Sequence, residues 1–195
     1  MSVAPYSSVD PALYPHGIPA GSGTSAMSWS AILAGAVGAI AITLTLLALG
    51  SAFGLASISP WPGLGAKAST FAIGTGIWLI VTQWVSALTG GYLAGRLRTR
   101  WTGLHTDEVF FRDTAHGFLT WATATFILAI VAVVAGALMD SAAPDTTVVV
   151  TREAADAARK VGAAFAGFTA LSLILGAFIA SAAGAVGGRL RDMHP

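Results

Sequence analysis

The chain has 195 residues, of which 55% are hydrophobic and only 10% charged, with a formal net charge of +1 and a mean hydropathy of +0.74. Soluble domains carry about 25% charged residues, so a surface this poor in charge is one that water solvates badly and lipid solvates well. The near-neutral balance leaves no footprint for nucleic acid, and the absence of cysteine excludes disulfides, thiolate metal sites and cysteine nucleophiles.

Residues 1–28 hold four of the eight prolines among serine and glycine and lack hydrophobic periodicity, so they read as a mobile tail. They contain no Lys or Arg, and the apolar run beginning at Trp29 is longer than a typical h-region, so a cleaved leader is not expected. The remainder, 29–195, reads as one all-α domain with four membrane spans. Span one covers about 29–53, with Trp29 as an interfacial anchor. The connection Ser59-Pro60-Trp61-Pro62-Gly63-Leu64-Gly65 excludes regular helix. Span two covers about 69–95. The polar stretch 96–113 follows, in which Thr106-Asp107-Glu108 suggests the start of a short surface helix. Span three covers about 114–139. Pro144-Asp145 marks a turn, and TREAADAARK (151–160) has helical composition with an i,i+4 pair at Asp156/Lys160. Span four is expected to grow out of that segment and to occupy about 161–188.

The span count rests on charge spacing. No Asp, Glu, Lys or Arg interrupts 68–95, 114–139 or 161–188, gaps of 28, 26 and 28 residues. A spanning helix needs about 20 apolar residues, so each gap holds one span and is too short for two. Orientation follows from the basic residues. Arg96, Arg98, Arg100, Arg112, Arg189 and Arg191 fall on one side, and Lys67, Arg152, Arg159 and Lys160 on the other. The positive-inside rule places the six, and both termini, in the cytoplasm.

Two spans close on the same pattern. Gly91 to Arg98 and Gly184 to Arg191 both read G-x-x-x-G-R-L-R, 93 residues apart. A basic interface after any Ala/Gly-rich span could resemble this, but five fixed positions in eight favour duplication of a two-helix hairpin. Such a duplication implies a pseudo-two-fold axis along the membrane normal. Gln83, Ala87, Gly91 and Gly95 then form one ridge, and Gly176, Ala180, Gly184 and Gly188 its equivalent; Gly50 and Gly54 are a further small pair in span one. Small residues every fourth position let backbones approach closely, the main source of helix association in lipid. Sequence alone leaves open whether the ridges pack within one chain or between chains, with packing within the chain the default.

Candidate sites are sparse. The spans contain no charged residue, which disfavours an active transporter. Gln83 is their one amide and reads as a packing hydrogen bond. Thr120, Thr123 and Thr125 could line a pore, though threonine in a span usually bonds its own helix carbonyls. His105, Asp107, Glu108 and His116 match no metal-ligand spacing and read as a solvated polar loop. His16, His105 and His194 lie in tails or loops, so no second axial ligand is available to His116 for haem. No G-x-S-x-G, P-loop or H-E-x-x-H occurs. Trp29, Trp61 and Trp101 read as interface anchors, and Trp78, Trp84 and Trp121 as packing residues. No cofactor is expected.

Three segments together resemble a bacterial membrane-protein family labelled PhnA-like: WSAILAG (29–35), FAIGTGIW (71–78) with GGYLAGRLR (90–98), and HGFLTWATAT (116–125). The resemblance covers roughly 29–130, and the stretch beyond 130 departs from it. It implies a bacterial inner membrane and no activity; the label suggests phosphonate chemistry, for which this chain has no matching constellation. The composite expectation is a non-catalytic accessory or scaffold subunit acting through helix packing, with other membrane subunits or further copies as partners. The alternative is a passive pore formed by an oligomer.

Overall fold

The computed structural model describes residues 26–57, 59, 65, 67–101, 103–141 and 151–193. The N-terminal tail up to residue 25, most of the 59–65 connection, the Pro144-Asp145 turn, Trp61, His16 and His194 lie outside the described residues. Four helices follow in order: α1 (Trp29–Ser57), α2 (Ala68–Leu97), α3 (Thr106–Ser141) and α4 (Arg152–Met193). All four are long and apolar enough to cross a membrane. The chain is therefore a multi-pass, all-helical membrane protein, which is the solution lipid enforces because each helix satisfies its own backbone polar groups.

Two helices exceed their expected spans. At 1.5 Å per residue α3 is about 54 Å long and α4 about 63 Å, against a hydrocarbon core of about 30 Å. Thr106, Asp107 and Glu108 do not start a separate surface helix. They form the first turn of α3 itself, where the acids meet the positive end of the helix dipole. The segment 152–160 is continuous with α4. Asp156 pairs with Arg159 at 3.1 Å and not with Lys160, the i,i+3 neighbour being equally within reach on a helix surface.

Contact register gives the topology. Along α1 and α2 the partners run in opposite directions, from Gly35 against Gly90, through Thr43 donating to Ser86 (2.9 Å), to the Trp78 indole donating to the Leu46 carbonyl (2.9 Å). Along α2 and α4 they run together, Gln83 against Gly176 and Gly95 against Gly184 and Gly188. Ile32 and Ala36 face Thr120 and Ala124 in the same sense, so α1 and α3 are parallel. The bundle is up-down-up-down, with both ends of the described chain on one side. Its helices stand in the cyclic order α1–α2–α4–α3, with a cross-contact between α2 and α3. A half-turn exchanging the hairpins would turn that cross-contact into one between α1 and α4, and those two helices do not meet among the described residues. α1 is held beside α3 instead, by contacts described below.

The glycines set the packing distance. A Cβ at Gly91 or Gly117 would land on the carbonyl of Ala180, and one at Gly95 on that of Gly184. At Gly184 it would lie 2.5 Å from the Asp113 carbonyl oxygen. These are backbone-on-backbone contacts that no rotamer change relieves. They are confined to the end of the bundle where α2 and α4 finish. Toward the other end, α3 beyond Thr125 is exposed at all but Leu128, and every residue of α4 before Ser172 is exposed. Gly136, Gly162 and Gly167 have nothing within 4 Å of a built Cβ.

This contrast gives a direct test. Gly184→Leu should abolish the cooperative thermal transition of the detergent-solubilised protein. Gly167→Leu, at an open helical position, should change stability by no more than about 1 kcal/mol. Equal behaviour of the two variants would show that the close approach of α4 does not hold the bundle together.

Candidate functional site

The buried polar groups gather where α2 ends, α3 begins and α4 ends. Arg98 is the C-cap of α2, and its extended backbone (φ −64°, ψ 155°) turns the chain out of the helix. Its side chain is nonetheless buried, at 0% exposure. The guanidinium fork grips Asp113 of α3 through Nε and Nη2 (the latter 2.9 Å from Oδ2). It grips Asp192 of α4 through Nη2 (2.8 Å) and Nη1 (3.4 Å), and Nη1 also donates to the Thr99 carbonyl at 3.1 Å. Five N–H groups thus find five acceptors, the full donor capacity of an arginine. Burial alone would lower the Arg98 pKa, but the two carboxylates outweigh it and hold the value above that of a free guanidinium. Arg98 keeps its charge at any accessible pH.

His116 extends the cluster to α1. Its Nε2 lies 2.8 Å from the backbone N of Ser28, and its Nδ1 lies 2.6 Å from the Arg112 carbonyl oxygen. The Ser28 N–H can only donate and the Arg112 carbonyl can only accept. The ring is therefore the neutral tautomer with its proton on Nδ1. Ser28 accepts the first helical bond of α1, from Ile32 N (3.1 Å), so this imidazole ties the start of α1 to α3. Trp101 covers the assembly, with the Arg98 guanidinium 4.3 Å and the Arg112 guanidinium 5.4 Å from its ring and the His116 ring 5.4 Å away. Gly188 completes it, since a Cβ there would occupy the position of the Asp113 carboxylate. All four helices contribute to this one polar knot.

Arg98 is one of the six arginines that set the expected orientation, and Asp113 stands at the edge of a charge-free gap. Both are instead buried and paired. Arg112 pairs with Glu108 at 2.6 Å, while Arg96, Arg100, Arg189 and Arg191 stand at the same end outside the knot. The expected ridges lie against each other, with Gly91 and Gly95 on α2 meeting Ala180, Gly184 and Gly188 on α4, and Ala87 and Ala180 buried. The Gln83 amide packs on Gly176, its Nε2 2.6 Å from a Cβ built there. Gly50 and Gly54 both face α2: Gly50 makes room for the Trp78 indole, and Gly54 lies in ordinary contact with Phe71.

The histidines and acids of the 105–116 stretch do not converge. His105 and Asp107 are exposed and 4.0 Å apart, Glu108 is engaged by Arg112, and both nitrogens of His116 are taken by backbone. Among the described residues no three His, Cys, Asp or Glu side chains are grouped to hold a metal ion. Thr120 donates to the His116 carbonyl at 2.8 Å, bonding its own helix. Trp84 is an exposed, bilayer-facing side chain and not a packing residue, whereas Trp78 and Trp121 do pack, against Phe53 and Phe118.

The knot holds a saturated cation and a neutral imidazole with both nitrogens engaged. Comparison with protein-family models, with curated proteins and with solved structures found no match.

Removing one partner of a buried ion pair leaves the other charge uncompensated, at a cost of about 3–5 kcal/mol. Asp113→Ala leaves Arg98 paired with Asp192 alone, and should lower the unfolding free energy in detergent by up to that amount. The joint change Arg98→Met/Asp113→Leu should recover most of the loss. A double variant as unstable as the single one would mean that the knot's geometry, and not charge balance, is what the bundle requires.

Proposed function

We propose that the protein is a non-catalytic subunit of the bacterial inner membrane that serves as a scaffold or accessory component for other membrane proteins or for further copies of itself. The observation that carries this reading is the bare outer half of the second hairpin. The α2 and α4 ridges spend their small residues on each other, so they offer nothing to a partner. The outer turns of α3, from Phe126, and of α4, up to Leu171, are exposed at every residue but Leu128 within the described chain. In lipid, helices associate by close van der Waals packing, and these segments carry Gly136, Gly162 and Gly167 open for it. A rigid knot at one end with two unpacked helical arms at the other is the arrangement of a part that completes its packing on something else.

The membrane frame supports the same reading. The six arginines used for orientation lie at the knot end, which the positive-inside rule assigns to the cytoplasm together with both termini. Arg98 counts toward insertion, which precedes folding, although in the finished bundle it meets no headgroup. We read the shared G-x-x-x-G-R-L-R endings as a hairpin duplication whose two copies have since diverged from exchange symmetry. The resemblance to the PhnA-like family accords with the inner-membrane assignment. A pore within the chain gains no support, because glycine backbone contacts and the Arg98 knot fill the described interior at that end.

Extraction in a mild detergent followed by crosslinking from a cysteine placed at Ala166, on bare α4, should trap a second membrane protein or a second copy. A stable monomer with no crosslinked species would overturn the scaffold reading. Reporter fusions after Arg100 and after position 147 should report cytoplasm and periplasm respectively, and the reverse result would invert the protein.

A further inference from the structure

The knot contains one side chain whose bonds depend on its protonation. Among the described residues His116 is the only buried imidazole, with 0% of its surface exposed. Its ring makes two bonds of opposite sense. Nδ1–H donates to the Arg112 carbonyl on its own helix (2.6 Å), and Nε2 accepts from the backbone N–H of Ser28 at the start of α1 (2.8 Å). Only the neutral ring can do this, because an imidazolium has two N–H donors and no acceptor. A proton on Nε2 would face the Ser28 N–H donor to donor, and the contact would have to open.

Little else of directional character fixes this end of α1. The Ile32 carbonyl accepts a long bond from Thr120 (3.4 Å), and the close backbone contact with α2 comes at Gly35, about two turns beyond Ser28. Trp29 and Ser30 are exposed, while Ala31 and Ile32 pack inward. The seam between α2 and α4 rests on backbone contacts at Gly91 and Gly95 and needs nothing from Ser28. Opening at Ser28 therefore loosens the start of α1 and leaves the rest of the bundle standing.

The charges around the ring permit a proton to enter. α1 brings none, since Trp29–Ser57 has no ionisable side chain. The end of α2 brings Arg98, α3 brings Arg112 and Asp113, and α4 brings Asp192 through its contact with Arg98. Glu108 offsets Arg112, and Arg98 stands against two carboxylates, which leaves one negative charge in excess. The Trp101 ring beside His116 is uncharged. An imidazolium enclosed away from water is still costly. Opening at Ser28 relieves that cost and the donor clash together.

We propose that the contact between His116 and Ser28 is an acid-sensitive latch, which holds the start of α1 against α3 and releases it when the side of the membrane facing the knot acidifies. The sign follows from the bond. The latch needs the neutral ring, so it is closed above the ring's titration and opens as the pH falls through it.

The chain has no cysteine, so Ser30→Cys and Phe111→Cys, both at exposed positions, place one spin label on α1 and one on α3. Double electron–electron resonance on the full-length protein in lipid nanodiscs is read from about pH 8 to about pH 5, the range in which histidine changes charge. A second, longer distance should grow in as the pH falls. His116→Gln sets an amide oxygen, which accepts but does not titrate, near the place of Nε2, and should keep the short distance throughout. A wild-type distance that stays constant, or an equal lengthening in His116→Gln, would overturn the latch. If His116→Gln does not unfold cooperatively, nitrogen NMR of the wild-type imidazole replaces it. Its titration midpoint should coincide with that of the distance change, and separate midpoints would sink the proposal.

Discussion

The close approach of α4 to Asp113 is the constraint on which the knot end depends. Gly184 lies against the Asp113 backbone carbonyl and Gly188 against its carboxylate. Any side chain at either position would push α4 off α3. That separation would carry Asp192 away from Arg98 and admit water to a cation now fully enclosed. Packing and charge are thus not independent contributions. The glycines bring the helices close enough to exclude water, and exclusion of water is what makes pairing obligatory. In a bilayer this matters more than in a soluble domain, because lipid tails compete with apolar side chains on equal terms and leave close packing and polar contacts to decide the fold.

The same logic accounts for the difference between the two ends. Where α2 ends and α4 ends, small residues recur on facing rows and the polar groups have partners. Farther along α3, the sequence FILAIVAVVAGALM (126–139) is apolar all round with no row of small residues aligned to a neighbour. Nothing selects one face of such a helix over another, and lipid satisfies all of them. Hairpin one stays closed along its length for particular reasons: Trp78 finds both a carbonyl and the space left by Gly50, and Thr43 meets Ser86. Among the described residues, hairpin two keeps its close contacts, Gly117 on Ala180 and the Trp121 indole beside Gly176, in the half nearer the knot.

Much of this was legible in the residues. Charge-free gaps gave the four spans, and fourth-position spacing gave the rows on α2 and α4, because both are one-dimensional patterns tied to helix geometry. The knot was harder to read because its members sit at three interfaces, and at an interface a charged side chain ordinarily means solvent. Yet a usable signal existed. Any up-down arrangement of four spans brings the end of α2, the start of α3 and the end of α4 to one side, so Arg98, Asp113 and Asp192 had to share a surface. The role of His116 was not readable, since both its partners are backbone atoms and one belongs to the start of α1. The side-by-side order of the hairpins was equally hidden, because it depends on that same tie.

The repeat itself shows how one motif supports two roles. Arg98 and Arg191 are the last residues of the two copies of G-x-x-x-G-R-L-R, but the residue after Arg98 is Thr99 and the residue after Arg191 is Asp192. An acid at that position exists in the second copy alone, and it reaches across to the arginine of the first. Thr99 contributes to the knot only through its carbonyl. Arg98 is therefore drawn inward by carboxylates from α3 and α4, while Arg191 has no corresponding pair to draw it in. Two carboxylates bury one arginine: the acid that follows the second copy of the motif, where the first has a hydroxyl, and Asp113 at the start of α3, which has no described counterpart beyond α4. The equivalent Arg191 stays half-buried at the same end.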